Sequence, residues 1–315
     1  MEYLVLAYYI FTEIENPEYE VKKHKKFFES RDVACRIYIS HEGINGQMSA
    51  SKQAAEEYMG WLKSDPRFAH VEFKLHEADE QAFAKKTVKV RKQLVAMDAD
   101  YDLNQGGEHV APEKWAEMLE QQDEKTLVLD VRNDYESEIG HFAGAYCPKL
   151  KTFREFPQMA EDLKKDYDPE NTKVMMYCTG GIRCEVYSAV MKEKGFKNVF
   201  QLDGGVIGYG KKMGSKHWDG KLFVFDDRLS VPLNPNDPGT VISRCSFCNE
   251  PTDQYLNCAY MDCNELFLSC MRCAREHKGC CSEKCMGEKR VRPFQESENP
   301  KPYRKLPHEL KQQLQ

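Results

Sequence analysis

Thirteen cysteines, very unevenly distributed, constrain the fold of this 315-residue chain more than any other feature. Nine of them lie between Cys245 and Cys285, and the other four are spread over the first 240 residues. The odd total, in a sequence that begins without a recognisable export signal, argues against a framework of disulfides. The C-terminal part is therefore expected to use its cysteines for thiol chemistry or for binding metal.

Two Cys-x2-Cys pairs in this cluster, with 21 residues between Cys248 and Cys270, have the spacing of a tetrahedral zinc site. The other five cysteines are enough for a second site with one to spare. The eight candidate ligands are Cys245, Cys248, Cys258, Cys263, Cys270, Cys273, Cys281 and Cys285. Two crossed zinc sites would suit this interleaving, but the spacing does not assign the pairs, and His277, disulfides and reduced thiols remain alternatives. Because four thiolates leave no open coordination position, such zinc would be structural.

The pattern of elements predicts an α/β protein with three parts. Residues 1–97 follow an order near β-α-β-α-β-β, with one helix capped by Ser51, which predicts a ferredoxin-like or acylphosphatase-like α+β domain. The polar stretch 98–121 is expected to be a linker. Residues 122–218 alternate apolar strands with helices, which predicts a parallel sheet covered on both faces. Residues 219–315 contain the cysteine-rich, zinc-ribbon-like module and a basic tail.

The sharpest local signal is the loop between the apolar strand at 173–177 and the helix predicted for residues 183–194. Its residues are Cys178, Thr179, Gly180, Gly181, Ile182, Arg183 and Cys184. The glycines let backbone N–H groups turn toward the Cys178 sulfur, while the helix N-terminus and Arg183 add positive charge. These groups are expected to hold Cys178 as a catalytic thiolate rather than as a buried structural cysteine. Cys184 either resolves a persulfide on Cys178 or packs in the first turn of the helix.

The loop from Cys178 to Arg183 resembles the active-site loop of rhodanese domains, in which the cysteine becomes a persulfide. Residues 127–132 (LVLDVR), 140–145 (GHFAGA) and 202–206 (LDGGV) extend the resemblance. The loop has the six-residue length of sulfur-handling members, whereas the related dual-specificity phosphatases have a longer loop, which argues against a phosphatase. His141 is expected to close a turn, and Asp130 and Arg132 are open between a functional and a structural role.

A longer resemblance covers nearly the whole chain. The segment Glu42-Gly43-Ile44-Asn45-Gly46, the cysteine loop and the cysteine-rich C-terminus together resemble the bacterial tRNA uridine hydroxylase family. Its members are rhodanese-domain oxidoreductases that install 5-hydroxyuridine at the wobble position, uridine 34, with dioxygen. The resemblance implies that Cys178 is the nucleophile, as thiolate or persulfide, and that Arg183 stabilises its charge. One position departs from the family pattern, because Val186 stands where a lysine often follows the Cys-Glu pair.

The same resemblance implies dioxygen as co-substrate, the anticodon loop of tRNA as partner, and a sulfur-donor or reductant protein as an additional candidate partner. The sequence has no flavin, haem or nicotinamide signature. Because the formal net charge is −6, tRNA would have to contact local basic patches, for which residues 22–26, 85–92 and the tail from 284 are candidates. No apolar run is long enough to span a membrane, and a cytoplasmic location is expected.

Two other functions fit the same residues. A plain sulfurtransferase would use the cysteine loop to pass persulfide sulfur to an acceptor, and sulfur transfer to cyanide would favour it. A non-catalytic RNA-binding adaptor would use the zinc module and the basic patches instead. Tight tRNA binding that survives Cys178→Ala, without any product, would favour the adaptor.

Overall fold

The architecture is that of a computed structural model, which describes residues 2–97, 101–150 and 152–294. The predicted basic tail lies, from residue 295 onward, outside the described residues. None of the helices in these ranges combines the length and the apolar character that crossing a bilayer requires.

The N-terminal unit is a five-stranded sheet with two helices. Its elements are β1 (Tyr3–Phe11), α1 (Pro17–Phe27), β2 (Val33–Ser40), β3 (Gly43–Ser51), α2 (Lys52–Lys63), β4 (Lys74–Ala78) and β5 (Lys86–Val90). The strands lie in the order β4-β1-β3-β2-β5, with β5 parallel to β2 and the other neighbours antiparallel. This arrangement confirms the predicted α+β class, and the Ser51 hydroxyl caps α2 by accepting a hydrogen bond from the N–H of Ala54.

One strand of this sheet was missing from the sequence-based expectation. Residues 43–46 looked like a glycine-punctuated connection, but they begin β3. A Cβ atom on Gly46 would lie 2.2 Å from the Tyr8 ring, so the glycine makes room for this neighbour across the sheet. A strand can contain glycine where another group approaches the backbone this closely, although glycine makes the strand harder to predict from the sequence.

The two faces of this sheet differ because side chains alternate along each strand. One face is buried against α1 and α2 and carries Leu6, Tyr8, Ile37, Ile39 and Met48. The opposite face carries mainly polar and aromatic side chains that are partly exposed. Side chains of this second face contact residues 180 and 185, which belong to the second unit of the chain.

The second unit is a parallel sheet with helices on both sides. Its elements are β6 (Glu108–Val110), α3 (Pro112–Glu120), β7 (Thr126–Asp130), α4 (Asp134–Ser137), β8 (Gly140–Phe142), α5 (Phe156–Asp162), β9 (Lys173–Tyr177), α6 (Ile182–Glu193), β10 (Asn198–Leu202), α7 (Gly205–Met213) and β11 (Trp218–Gly220). The main sheet has the order β6-β10-β9-β7, and β8 pairs with β11 separately. Helices α5 and α6 cover one face and α3 and α7 cover the other, which confirms the predicted parallel architecture.

Residues 108–120 belong to this second unit, although a linker was expected over 98–121. Strand β6 pairs with β10, and α3 buries Trp115 in the core. The Gly106-Gly107 pair suggested an irregular segment, but a Cβ atom on Gly107 would lie only 2.9 Å from the carbonyl oxygen of Val199. The glycine therefore permits close packing rather than flexibility. The exact domain boundaries stay a prediction.

The C-terminal unit is small and contains short elements. They are β12 (Leu222–Phe223), β13 (Ser230–Val231), β14 (Tyr255–Asn257), β15 (Leu266–Leu268), α8 (Met271–Glu276) and α9 (Glu283–Met286). Strands β12 and β13 form one antiparallel pair, and β14 and β15 form another. Its small core combines apolar side chains such as Leu256 and Phe267 with buried cysteines.

Candidate active site

The cysteine loop connects the end of β9 to the start of α6, at the carboxyl edge of the parallel sheet. Cys178 directly follows β9, and its Sγ accepts a hydrogen bond from the N–H of Gly181 at 3.1 Å. Gly181 has a φ of 103°, and a Cβ atom there would approach the hydroxyl oxygen of Tyr9 to 2.8 Å. Glycine is therefore required both by the backbone turn and by the close approach of the N-terminal unit.

The loop after β10 holds the cysteine loop in place. The N–H groups of Val206 and Ile207 donate to the carbonyl oxygens of Cys178 at 3.0 Å and Thr179 at 3.1 Å. Gly205 brings the two backbones so close that a Cβ atom would lie 2.7 Å from the Cys178 carbonyl oxygen. The glycines of segment 202–206 thus have a direct structural role at the site.

The surroundings of Cys178 stabilise a thiolate. Burial alone raises the pKa of this thiol, which has no exposed area. A hydrogen bond from the Cys184 thiol, the charge of Arg183 and the N–H groups of both residues outweigh burial and lower the pKa to about 5. For Cys184 itself, burial and the neighbouring Cys178 sulfur raise the pKa well above its ordinary value. At neutral pH the pair therefore consists of a Cys178 thiolate and a protonated Cys184 thiol.

Arg183 is held by Glu136, a residue that sequence reasoning missed. Its guanidinium donates to the two carboxylate oxygens of Glu136 at 2.5 and 2.8 Å, and the Thr179 hydroxyl donates to the same carboxylate at 2.9 Å. Burial alone raises the pKa of Glu136, but the Arg183 charge and hydrogen bonds lower it overall. Arg183 therefore acts on Cys178 from a fixed position.

The sequence gives a reason for an acidic residue at position 136, but that reason concerns only the local helix. Asn133 and Glu136 have the sequence spacing of a capping box at the start of α4, so an acidic residue three positions after Asn133 is expected for helix formation alone. The same carboxylate serves both purposes, because Glu136 also accepts a hydrogen bond from the N–H of Asn133 at 3.1 Å. Only the packing of α4 against the cysteine loop distinguishes the two roles.

Three other residues from the rhodanese-like segments make structural contacts. Arg132 and Asp130 form a fully buried ion pair of 2.6 Å, and Arg132 also donates to the carbonyl oxygen of Gly140 at 2.6 Å. The His141 ring contacts the carbonyl oxygen of Ser137 at 2.8 Å, within the turn that follows α4. These contacts stabilise the segment between β7 and β8.

The N-terminal sheet forms the wall opposite the cysteine loop. The Lys74 ammonium donates to the carbonyl oxygen of Gly180 at 2.8 Å, and the Tyr9 hydroxyl donates to the Glu185 carboxylate at 2.9 Å. Burial lowers the pKa of Lys74, although the nearby Cys178 thiolate acts in the opposite direction. Neither Lys74 nor Tyr9 was singled out from the sequence. The alternation of polar residues along the predicted N-terminal strands was the pattern that could have indicated a polar sheet face near the site.

A cavity of about 300 Å³ lies between this wall and the cysteine loop. The sheet contributes Tyr9, Arg36, Tyr38, Asn45, Gln47 and Lys74, and the loop contributes Thr179, Gly180, Ile182 and Arg183. A larger cavity of about 570 Å³ adjoins it and shares Gln47, Lys74 and Thr179 with it. Cys178 is fully buried directly beside the cavity-lining Thr179. The arrangement places a buried cysteine in a loop whose neighbouring residues line a cleft of the size of a small ligand site.

The eight candidate cysteine ligands form two separate groups of four. Cys245, Cys248, Cys270 and Cys273 make the first group, and Cys258, Cys263, Cys281 and Cys285 make the second. Within each group all sulfur atoms lie within 4.8 Å of one another, and the two groups interleave along the chain. Cys280 is in neither group, and the His277 ring stacks on Phe247. Each group could hold a metal ion.

The sulfur spacing fits a tetrahedral metal site. Cys248 and Cys270 are 3.7 Å apart, as are Cys263 and Cys281, measured between Sγ atoms. A tetrahedron with zinc–sulfur bonds of about 2.3 Å has edges of about 3.8 Å, whereas a disulfide bond is about 2.05 Å long. All thirteen cysteines are free of disulfides. The donor atoms and their spacing therefore suit zinc better than cross-linking.

Two of the predicted basic patches lie on the N-terminal unit. Residues 22–26 are on α1, with Lys22, Lys25 and Lys26 exposed. Residues 85–92 include β5, next to β2, and the Arg91 guanidinium lies 4.6 Å from the ring centre of Tyr38. The second patch is thus continuous with the rim of the 300 Å³ cavity.

Profiles of three domain families match most of the chain. They are the "UPF0176 acylphosphatase like domain" at residues 3–94, the "Rhodanese-like domain" at 111–212 and "Rhodanase C-terminal" at 219–286. Their order agrees with the three structural units.

Curated relatives align with nearly the full length. A protein from Protochlamydia amoebophila (strain UWE25) is 52% identical over 312 residues, which cover 99% of this chain and 97% of the relative. A protein from Chlamydia trachomatis serovar D is 54% identical, and the alignment covers 96% of this chain and 92% of the relative. A protein from Chlamydia felis is 53% identical, and the alignment covers 96% of this chain and 93% of the relative. All three relatives are named tRNA uridine(34) hydroxylase.

Proposed function

Because this chain belongs to the tRNA uridine(34) hydroxylase family, we propose that it hydroxylates carbon 5 of uridine 34 in tRNA, with dioxygen as co-substrate. The observation that carries this proposal is the position of the Cys178 sulfur, which accepts a hydrogen bond from the Gly181 N–H in a loop whose next residue, Thr179, lines a ligand-sized cavity. The surroundings lower the pKa of Cys178 to about 5, which makes it a nucleophile at neutral pH. The enzyme is accordingly an oxidoreductase that modifies tRNA.

The proposed reaction begins with addition of sulfur from Cys178 to carbon 6 of the uracil. This addition makes carbon 5 enolate-like, so it can react with dioxygen and, after protonation, carry a hydroperoxide. Two electrons and two protons from an external reductant then convert the hydroperoxide to a hydroxyl group and water. Loss of the proton from carbon 5 and of the sulfur from carbon 6 restores the ring. The net reaction consumes uridine, dioxygen, two electrons and two protons, and it yields 5-hydroxyuridine and water.

The protein supplies charge stabilisation at each sulfur step. The Gly181 N–H, the Cys184 thiol and the Arg183 charge stabilise the Cys178 thiolate both before addition and after it leaves. The reactive species is a thiolate or a persulfide. A persulfide would move the reacting atom outward by one S–S bond of about 2.05 Å, which would help a buried cysteine to reach a base in the cavity.

The remaining parts of the proposal concern partners and metal. Zinc in the two cysteine groups would be structural, since four thiolates complete its coordination, and its chemistry there would be to hold short elements together. The anticodon loop of tRNA would bind across the cavity and the basic patches. A sulfur-donor or reductant protein would supply the persulfide sulfur or the two electrons. A tRNA substrate implies that the protein works in the cytoplasm.

The decisive experiment is mass spectrometry of nucleosides from unmodified tRNA incubated with the protein under heavy-isotope dioxygen. Hydroxylation and thiolation add nearly the same nominal mass, so the isotope label is what separates them. We expect heavy-oxygen 5-hydroxyuridine with the wild type and none with Cys178→Ala. Full activity in Cys178→Ala would exclude the proposed chemistry.

Two other outcomes would identify a different function. A sulfur-bearing nucleoside without heavy oxygen would make the protein a sulfurtransferase, for which the six-residue loop is also suited. Tight tRNA binding by both the wild type and Cys178→Ala, with no product even when a reductant is supplied, would make it an RNA-binding adaptor.

A further inference from the structure

The face of the N-terminal sheet that lines the 300 Å³ cavity is organised in two rows by strand pairing. Lys74, Ala7, Gln47 and Arg36 lie side by side across β4, β1, β3 and β2, and we refer to them as the Gln47 row. Tyr9, Asn45, Tyr38 and Lys89 lie side by side across β1, β3, β2 and β5, and they form the Asn45 row. Neighbouring strands are about 4.8 Å apart, so each row is a continuous strip of functional groups.

Three side chains in these rows have no protein partner. The side chains of Arg36, Asn45 and Gln47 are half-buried, and none of these side chains makes a hydrogen bond or an ion pair with any residue in the described ranges. In contrast, Lys74 and Tyr9 in the same rows are anchored to Gly180 and Glu185. Polar groups that are partly removed from solvent generally find partners. The hydrogen-bonding groups of Arg36, Asn45 and Gln47 are therefore available to a ligand in the cavity that these residues line.

The composition of the cavity favours a base edge rich in acceptors. Arg36 and Lys74 contribute two cations to its lining in addition to Arg183, which is paired with Glu136, and no carboxylate lines it within the described part of the chain. Uracil presents two keto oxygens on either side of one N–H group. Guanidinium, ammonium and amide N–H groups donate to the oxygens, and an amide oxygen accepts from the N–H. Cytosine presents an amino group in place of one oxygen and would meet an excess of donors.

Other features of the rows suit a splayed nucleotide. An aromatic ring on a sheet surface provides a platform for an unstacked base, and Tyr38 lies next to Asn45 in its row. The Arg91 guanidinium that packs on Tyr38, together with Lys89 in the same row, provides positive charge for the adjoining phosphates. The cavity volume of about 300 Å³ is at the lower end of ligand sites, which suits a single nucleoside.

We propose that Asn45 and Gln47 of β3 recognise the uracil ring, and that the N-terminal sheet is the base-reading surface of this protein. The proposal rests on the proposed function for the identity of the substrate. It also gives a role to the segment 42–46, whose Asn45 is presented by β3 while Gly46 accommodates the Tyr8 ring on the opposite face. The two amides determine specificity, whereas Cys178 carries out the chemistry.

The test compares anticodon stem-loop RNAs that differ only in uridine or cytidine at position 34. The full-length wild type and the variants Asn45→Ala, Asn45→Asp, Gln47→Ala and Gln47→Glu are assayed for hydroxylation rate and for RNA affinity. Matched controls are Gln53→Ala and Gln53→Glu, because Gln53 is exposed on α2 of the same unit and bonds only Glu57 among the described residues. Thermal melting identifies any variant that does not fold.

The alanine variants are expected to hydroxylate the uridine loop about 10- to 100-fold more slowly and to lose their preference over cytidine. The carboxylate variants are expected to shift the preference toward cytidine, since a carboxylate accepts from its amino group but cannot donate to a keto oxygen. Both controls should behave as wild type. A variant that only weakened the fold would lower the hydroxylation rate of both RNAs by the same factor.

The two proposals fail in different ways. If the wild type hydroxylates uridine but the variants keep its rate and its uridine-to-cytidine ratio, base recognition by Asn45 and Gln47 is wrong. If the wild type forms no product but prefers the uridine loop in binding, and the variants lose that preference, the hydroxylase proposal fails while base recognition stands. Equal binding of both loops by an inactive wild type overturns the inference.

Discussion

The Lys74 ammonium of the N-terminal sheet donates a 2.8 Å hydrogen bond to the carbonyl oxygen of Gly180, in the middle of the cysteine loop of the second unit. Two regions that are more than 100 residues apart in sequence are thereby joined at the reactive centre. Lys74 also lines both cavities of the cleft. The N-terminal unit therefore forms one wall of the candidate active site.

Replacing Lys74 by methionine should slow hydroxylation without unfolding the protein. The change removes one hydrogen bond to the Gly180 carbonyl and one positive charge near the Cys178 thiolate, and we expect kcat/KM to fall about 10-fold or more. Lys74→Arg should retain part of the activity because it keeps the charge. Lys52→Met, which removes an exposed lysine from the adjacent α2, is the matched control. Equal kinetics for Lys74→Met and this control would contradict the prediction.

Replacing Glu136 by glutamine should destabilise the second unit strongly. The change removes the carboxylate that pairs with the buried Arg183 guanidinium, and breaking a buried ion pair typically costs about 3–5 kcal/mol. Chemical denaturation should show this loss in the free energy of unfolding. Glu161→Gln disrupts an exposed pair with Lys164 and should leave the unfolding transition unchanged. A Glu136→Gln protein as stable as the wild type would show that Arg183 has another partner of equal strength.

The Cys178 thiolate should persist to acidic pH. Its pKa of about 5 lies below the ordinary thiol range, so the thiolate is lost only as the pH falls through about 5. Subtracting the ultraviolet thiolate absorbance of Cys178→Ser from that of the wild type isolates this titration from the other cysteines. Cys184→Ala should move the midpoint upward, since it removes a hydrogen bond to the thiolate. A wild-type midpoint near that of a free cysteine would refute the assignment.

The C-terminal unit should bind two zinc ions per chain. Elemental analysis of the purified protein should give this ratio, and Cys245→Ser and Cys258→Ser should each lower it by one, because each belongs to a different group of four. Cys280→Ala is the control, since Cys280 is buried in the same unit but belongs to neither group. Removal of zinc by a chelator should lower the melting temperature of the unit. A metal content of zero or one would exclude the two-site arrangement.

Much of the active centre could be predicted from the sequence because its signals are local. Cys178, its two glycines and Arg183 lie within six consecutive residues, and a buried strand before them and a helix after them determine how their backbone turns. The spacing of the interleaved cysteines likewise indicated the candidate metal ligands. What spacing could not assign was the division into two groups, since that depends on how β14, β15 and α8 fold back on one another.

Local sequence patterns indicated the candidate nucleophile Cys178, the parallel sheet that presents it and the eight candidate metal ligands. Only the folded chain shows that Glu136 pairs with Arg183, that Lys74 contacts Gly180, and that Asn45 and Gln47 line the same cavity. A turn, a cap or a strand is specified by neighbouring residues, whereas the face that one sheet presents to another unit depends on strand register and on packing between distant segments. Those long-range contacts place the cysteine loop next to a cavity that is lined by hydrogen-bond donors from the N-terminal sheet.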